Sequence, residues 1–269
     1  MPQTSIILPI YRAEPAHLAA ALAGLQMADL PDSEVLIGLD GPCPGAIETL
    51  LNRAQQQHKT GQWRVLQLPK RGLVSTLNAL LEASDSAYIA RHDADDFSLP
   101  DRFQRQLEAL EARPDAAFCG TQITRCDANL RPLTRQRSYP TSFFGQLAYA
   151  SCLNNPVAHP SLMLRRSHLG NLQYCEVEGA EDWQLYIHLW QAGHRSFNLK
   201  RSGVLYRMHG QQITARQRSW TVLRRLKAES LAAALNHHRA APLLKPLHAV
   251  SKQLQLSERL LTLQRKPGA

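Results

Sequence analysis

Three carboxylates crowd into four residues, Asp93, Asp95 and Asp96, directly behind the short run Tyr88-Ile-Ala-Arg. Two carboxylates one residue apart, completed by substrate phosphates and water, are a common way to hold Mg²⁺ or Mn²⁺. Other chemistry-bearing residues follow apolar runs earlier in the chain. Pro9-Ile-Tyr-Arg places Tyr11 where its ring can stack on a base, and Asp40-Gly-Pro offers a carboxylate to a base N–H or a ribose hydroxyl. Lys70-Arg-Gly-Leu offers the Arg71 guanidinium and the Gly72 amide to a pyrophosphate. Each motif alone has a plainer reading, as a solvated helix start, an ordinary turn or an exposed tyrosine. Four of them in succession describe a nucleotide site with a divalent ion.

Such residues need a scaffold that brings them to one edge. Ser5-Ile-Ile-Leu-Pro-Ile and Glu34-Val-Leu-Ile-Gly-Leu are continuous apolar runs, as expected for strands buried on both faces. Trp63-Arg-Val-Leu-Gln-Leu and Tyr88 to Arg91 supply two more strands. Helices are expected over Ala16 to Leu25, Gly45 to Gln57 and Leu73 to Ala83 between them. This alternation predicts right-handed crossovers and a mostly parallel sheet, with ligands at the carboxyl ends of its strands. Ser98 and Asp101 read as a capping box with Pro100 in the first turn of a further helix, which carries Phe103, Leu107 and Leu110. His92 should point away from the carboxylates, toward the other face of the strand end. Beyond this, Ala117 to Thr124 reads as a strand, Asp127-Ala-Asn as a turn and Ser142 to Ala150 as a helix. The dinucleotide fingerprint G-x-G-x-x-G and the Walker loop are both missing.

Composition narrows the class. With 269 residues, 44% of them hydrophobic, the chain can bury a large core. No run approaches a membrane span, and Met1-Pro-Gln-Thr leads into a strand and not a signal peptide. Five scattered cysteines without a C-x-x-C pair read as reduced thiols of a cytoplasmic protein. Of the 31 Lys and Arg residues, 11 lie from Arg216 onward, against two acids there, so the net charge of +9 resides in that stretch. A basic patch confined to the end, with Trp220 its one aromatic, argues against a nucleic-acid-binding protein.

The series Ser5-Ile-Ile-Leu-Pro-Ile-Tyr, Leu39-Asp-Gly, Gly72-Leu-Val-Ser-Thr-Leu-Asn and Ile89-Ala-Arg-His-Asp-Ala-Asp-Asp resembles the inverting family 2 glycosyltransferases with the GT-A fold. The likeness continues through Asn155-Pro-Val-Ala-His-Pro-Ser-Leu-Met-Leu-Arg-Arg, Ala180-Glu-Asp-Trp-Gln-Leu and Tyr206-Arg-Met-His-Gly-Gln-Gln-Ile-Thr, covering roughly residues 4 to 217. Within the family it is most similar to bacterial lipooligosaccharide and capsule transferases, including those that add N-acetylglucosamine or galactose. The resemblance implies a GT-A fold, α/β with a mostly parallel mixed sheet flanked by helices, over residues 1–218. Residues 1–100 would form the nucleotide-binding half and 101–218 the acceptor-side half, followed by a basic helical extension over 219–269.

It also implies roles. Pro9, Tyr11, Asp40, Arg71 and Asp93 would bind the nucleotide-sugar donor, a UDP-sugar such as UDP-GlcNAc or UDP-Gal. Asp95 and His209 would hold Mn²⁺ or Mg²⁺, and Asp182 would be the catalytic base with Glu181 its structural neighbour. Leu39 stands where the family has a further aspartate. His159, before Pro160, is expected to shape an acceptor-side loop without a chemical role. The implied acceptor is a cell-surface glycan or glycolipid. A sugar-nucleotide nucleotidyltransferase shares the sheet and the carboxylates, but Pro9-Ile-Tyr-Arg is not its glycine-rich loop.

The final stretch carries two expected helices, around Trp220, Leu223, Leu226, Leu231 and Leu235, and around Val250, Leu254 and Leu261. Their apolar faces can pack on the catalytic domain or on a second subunit of a homodimer. Their bases can alternatively hold the enzyme at the anionic inner face of the cytoplasmic membrane.

Overall fold

Strands β1 (Thr4–Ile10), β2 (Ser33–Asp40) and β4 (Tyr88–Arg91) are buried along their whole length, which is what their unbroken apolar runs require. Because side chains alternate across a strand, each run feeds two cores. Ile7, Leu36 and Ile89 enter one core, while Ile6, Leu8, Val35, Ile37 and Ala90 enter the other. The computed structural model describes residues 2–28, 30–57, 62–134, 136–177, 179–208 and 219–237.

Strand β3 (Gln62–Leu68) completes a parallel set, β3-β2-β1-β4, linked through helices α1 (Pro15–Met27), α2 (Gly45–Gln57) and α3 (Leu73–Ala83). Gly38 lets α3 lie close on β2, since a Cβ there would come within 2.8 Å of Thr76 Cγ2 and 3.1 Å of Leu80 Cδ1. The sheet then becomes mixed. Short β5 (Phe97–Ser98) precedes α4 (Arg102–Glu111), and β6 (Ala116–Cys126) is followed by α5 (Phe143–Cys152) and a 3-10 turn at His159–Ser161. Next come β7 (Met163–Arg165), α6 (Arg166–Leu169), α7 (Glu181–Gln191) and β8 (Arg195–Arg207). The full order is β3-β2-β1-β4-β7-β6-β8-β5, with β7 antiparallel to both β4 and β6, and β6 parallel to β8.

The expected capping box is not formed. Ser98 belongs to β5, paired with Val204 of β8, and its hydroxyl meets the buried groups Arg102 Nη1 at 2.9 Å and His92 Nδ1 at 3.1 Å. Asp101 is the N-cap residue of α4 but makes no side-chain cap bond, and Pro100 precedes the helix. A two-residue strand has no periodicity to reveal it, so only the helix-start signal is visible in the local sequence.

Helix α8 (Trp220–Asn236) starts at Ser219, whose hydroxyl accepts from Val222 N. It lies beyond the boundary expected at residue 218, yet Leu226, Ala233 and Ala234 share one core with Trp183, Tyr186 and Trp190 of α7. Ser230 accepts from Trp183 Nε1 at 3.0 Å, and Lys227 Nζ donates to the Cys152 carbonyl at 3.0 Å. The second expected helix, around Val250, Leu254 and Leu261, lies outside the described residues, as does His209. Among the described residues no helix is long and apolar enough to cross a membrane.

Candidate active site

A cleft of about 1990 Å³ opens along the carboxyl ends of the parallel strands. Its walls include Pro9, Tyr11 and Asp40 from the first strands, Asp93 and Asp95 after β4, and Glu181 and Asp182 from α7. The carboxyl-edge placement expected for an open α/β sheet therefore holds for Pro9, Tyr11, Asp40, Asp93 and Asp95, while Glu181 and Asp182 reach the cleft from the start of a helix.

Tyr11 leaves 46% of its surface exposed, with Arg12 Cζ 5.2 Å and Lys70 Nζ 5.8 Å from its ring centre. That ring is available for stacking beside two cations. Asp40 is nearly buried, and its carboxylate accepts from Arg71 N at 2.8 Å and from Gly72 N at 3.0 and 3.1 Å. Gly72, at φ +91°, takes the left-handed turn that presents both amides to it, and α3 begins at the next residue. Asp40 thus anchors the start of α3 from a neighbouring strand, and the Gly72 amide expected to face a pyrophosphate is already engaged. The Arg71 side chain is exposed and does not line the cleft, whereas that of Lys70 does.

Ligand oxygens of Asp93, Asp95 and Asp96 lie within 4.8 Å of one another. Asp96 is fully buried; Oδ1 accepts from Arg207 N at 2.9 Å, and Oδ2 has no partner. Burial, then the charges of Asp95 and Asp93, push its carboxyl well above the usual range. Burial acts on Asp93 in the same direction, but Arg91 Nε at 2.7 Å outweighs it and holds that carboxyl below its ordinary value. Crowded acids with an orphaned buried oxygen suit a divalent cation. His92 faces away, as its strand position dictates. Burial and then Arg102 lower it to about 3, so it stays neutral.

At the opposite wall, Asp182 sits in the first turn of α7, where the helix dipole favours a carboxylate. Asn155 Nδ2 donates to its Oδ2 at 2.5 Å and Trp183 N to its Oδ1 at 2.8 Å. Between the two acidic groups lies His159. Its Nε2 is 2.9 Å from Arg91 Nη1 and 3.1 Å from Tyr174 Oη, and its Nδ1 is 3.6 Å from Glu181 and 3.8 Å from Asp182. A guanidinium can only donate, so Nε2 must accept and the ring proton sits on Nδ1, facing the carboxylates. Burial opposes ionisation of Glu181, but the His159 ring overrides it and brings the carboxyl down to about 2.

A continuous polar chain therefore runs Asp93–Arg91–His159–Asp182. His159, expected to shape a loop without a chemical role, stands at the centre of this chain, and Arg91, Asn155 and Tyr174 join it with little mark in the local sequence. One signal was available: Arg91 and Asp93 are two residues apart and so share a face at the strand end. The rest depends on β7 and the 3-10 turn folding back against β4, a long-range pairing with no local signature.

Comparison with known proteins agrees with this architecture. The amylovoran biosynthesis glycosyltransferase AmsE of Erwinia amylovora is 25% identical over 232 residues, 82% of this chain and 81% of that protein. The putative glycosyltransferase EpsE of Bacillus subtilis is 26% identical over 226 residues, 82% of this chain and 77% of that one. Among solved structures, S. aureus TarS 1-349 in complex with UDP-GlcNAc superposes with a TM-score of 0.65 at 15% identity, covering 89% of this chain and 69% of that one. The mannosyltransferase PcManGT of Pyrobaculum calidifontis, in complex with GDP-Man and Mn²⁺, gives 0.59 at 16% identity, covering 97% and 81%. These likenesses establish the GT-A fold. The model of the family "Glycosyl transferase family 2" matches residues 5–172, more than half of the sequence, and the chain belongs to that family.

Proposed function

We propose that the protein transfers a sugar from a nucleotide diphosphate, a UDP-sugar such as UDP-GlcNAc or UDP-Gal, to a glycan acceptor in cell-surface polysaccharide synthesis, with inversion at the anomeric carbon. The observation that carries this reading is the placement of the Asp93–Asp95–Asp96 cluster and of Asp182 on two walls of one cleft, joined through Arg91 and His159. Membership of the family supports transfer, and AmsE, named for amylovoran biosynthesis, supports a polysaccharide product.

Tyr11 stacks on the base, and the Asp40 region and Asp93 meet the nucleoside. Asp93 and Asp95 would hold Mn²⁺ or Mg²⁺, which when bound neutralises charge gathering on the leaving diphosphate. His209, proposed as a further ligand, lies outside the described residues. Asp182 takes the proton of the acceptor hydroxyl as its oxygen bonds to the anomeric carbon and the bond to the diphosphate breaks. A single base facing the carbon opposite the leaving group makes the displacement direct, so the configuration inverts. Asn155 and the Trp183 amide fix that carboxylate, and His159 holds Arg91 against both acidic walls.

A thermal-shift panel of UDP, GDP, dTDP and CMP with and without Mn²⁺ tests the donor class, since a ligand of the native state raises the melting temperature. UDP should stabilise most, and only with the metal. Preference for GDP would replace the uridine assignment, and indifference to every nucleotide would refute the reading.

A further inference from the structure

Besides the cleft there is a second cavity of about 400 Å³, and Arg125 and Arg137 line both. Leu133 and Gln136 form the rest of the second lining. Neutral sugars present both donors and acceptors, so a subsite for one needs side chains of both kinds. This subsite lacks the acceptors. The Gln136 amide is consumed by backbone, its Oε1 taking Arg125 N at 2.7 Å and its Nε2 donating to Arg125 O at 3.1 Å and Leu133 O at 2.6 Å. Asp127, the acid nearest in sequence to Arg125, turns its Oδ1 to the amides of Asn129 and Arg131, each at 2.9 Å.

The two guanidinium groups make no ion pair among the described residues. Arg137 is held rigidly, its Cζ 4.9 Å from the Tyr139 ring centre and 5.6 Å from that of Tyr149. Its Nη2 donates to Tyr149 Oη at 2.9 Å and to the Asn155 carbonyl at 3.3 Å, and Asn155 in turn holds Asp182. The cationic subsite is therefore mechanically tied to the residue that faces the acceptor hydroxyl.

We propose that Arg125 and Arg137 form an anion subsite that binds a phosphate or carboxylate group on the acceptor glycan, adjacent to the hydroxyl facing Asp182. The acceptor is then an acidic or phosphorylated glycan, met by the Arg125 guanidinium and by the Nη1 edge of Arg137, whose Nε and Nη2 are taken by Tyr149 and Asn155. The proposal rests on the transferase reading above.

The test is a calorimetric titration of the full chain, with UDP and Mn²⁺ present, using methyl glucuronide, glycerol 3-phosphate and neutral methyl glucoside as probes. At least one acidic probe should bind more tightly than the glucoside, and Arg125→Gln should weaken it by about tenfold or more, the scale of a charge-assisted hydrogen bond. Binding of glucuronide alone assigns an acidic sugar, binding of glycerol 3-phosphate alone a phosphoryl group, and either supports the subsite. Equal binding of the glucoside, no binding of either acidic probe at millimolar concentration, or unchanged affinity in Arg125→Gln overturns it. UDP titration in the same samples reports separately: a wild type that does not bind UDP contradicts the donor reading, and UDP binding by Arg125→Gln shows that the variant is folded.

Discussion

Asp182 and Glu181 are neighbours on α7, yet their surroundings separate their tasks. Asp182 is held by Asn155 and by the Trp183 amide while facing the cleft, so Asp182→Asn keeps the shape and removes the proposed proton acceptor. Nucleotide affinity should persist while transfer, measured as UDP released, falls by about 10²–10⁴-fold, the scale of a lost general base. Poor donor binding with normal turnover at saturation would make Asp182 a binding residue instead. Glu181 is ionised against the His159 ring, its carboxyl at about 2 against an ordinary 4.5. A depressed carboxyl contributes stability that is complete above the ordinary value and is lost as pH falls through the folded one. Glu181→Gln should therefore flatten the decline of the urea midpoint between about pH 4.5 and about pH 2. Parallel declines in the two proteins would show that the His159 contact does not matter to stability.

At the scale of elements, the site depends on how closely helices lie on the sheet. Gly38→Ala would drive a Cβ to 2.8 Å from Thr76 and 3.1 Å from Leu80, lifting the start of α3 away from Asp40. Overpacking of this kind costs about 1–3 kcal/mol, readable as a lower urea midpoint, and unchanged stability would mean that α3 is not seated this tightly. Elements such as α3 were readable in the sequence because local patterns and folded environment agree. Leu77, Leu80 and Leu81 recur at helical spacing, and Gly41 and Pro69 directly follow the ends of β2 and β3. The same agreement placed Asp93 and Asp95 on the cleft, whereas Asp182 was expected there only from the family resemblance. Where two or three residues make an element, the signal fails: Ser98 joined β5 and not a helix cap, and β7 gave no warning that His159 would stand between Arg91 and Asp182. Asp40 shows a third case, since a carboxylate suited to a nucleoside suits a helix start equally well.

Over the whole molecule, the basic stretch of the chain includes helix α8, which belongs to the core. Helix α8 commits Leu226, Ala233 and Ala234 to the core beneath α7, so a chain ending at residue 218 should expose that face and aggregate. A chain ending at residue 237 retains helix α8 and its place in that core. It should lose sedimentation with anionic liposomes if the bases farther on hold the enzyme at a membrane surface. Equal sedimentation of both lengths would leave the membrane proposal without support. On the proposed mechanism, one cleft binds a nucleotide diphosphate through a metal at Asp93 and Asp95, and Asp182 stands apart from that binding. Calorimetry of UDP with Mn²⁺ on three proteins tests it most directly. Wild type and Asp182→Asn should bind alike and only with the metal, while Asp93→Ala should lose the metal-dependent part. Full Mn²⁺-dependent UDP binding by Asp93→Ala would contradict the account.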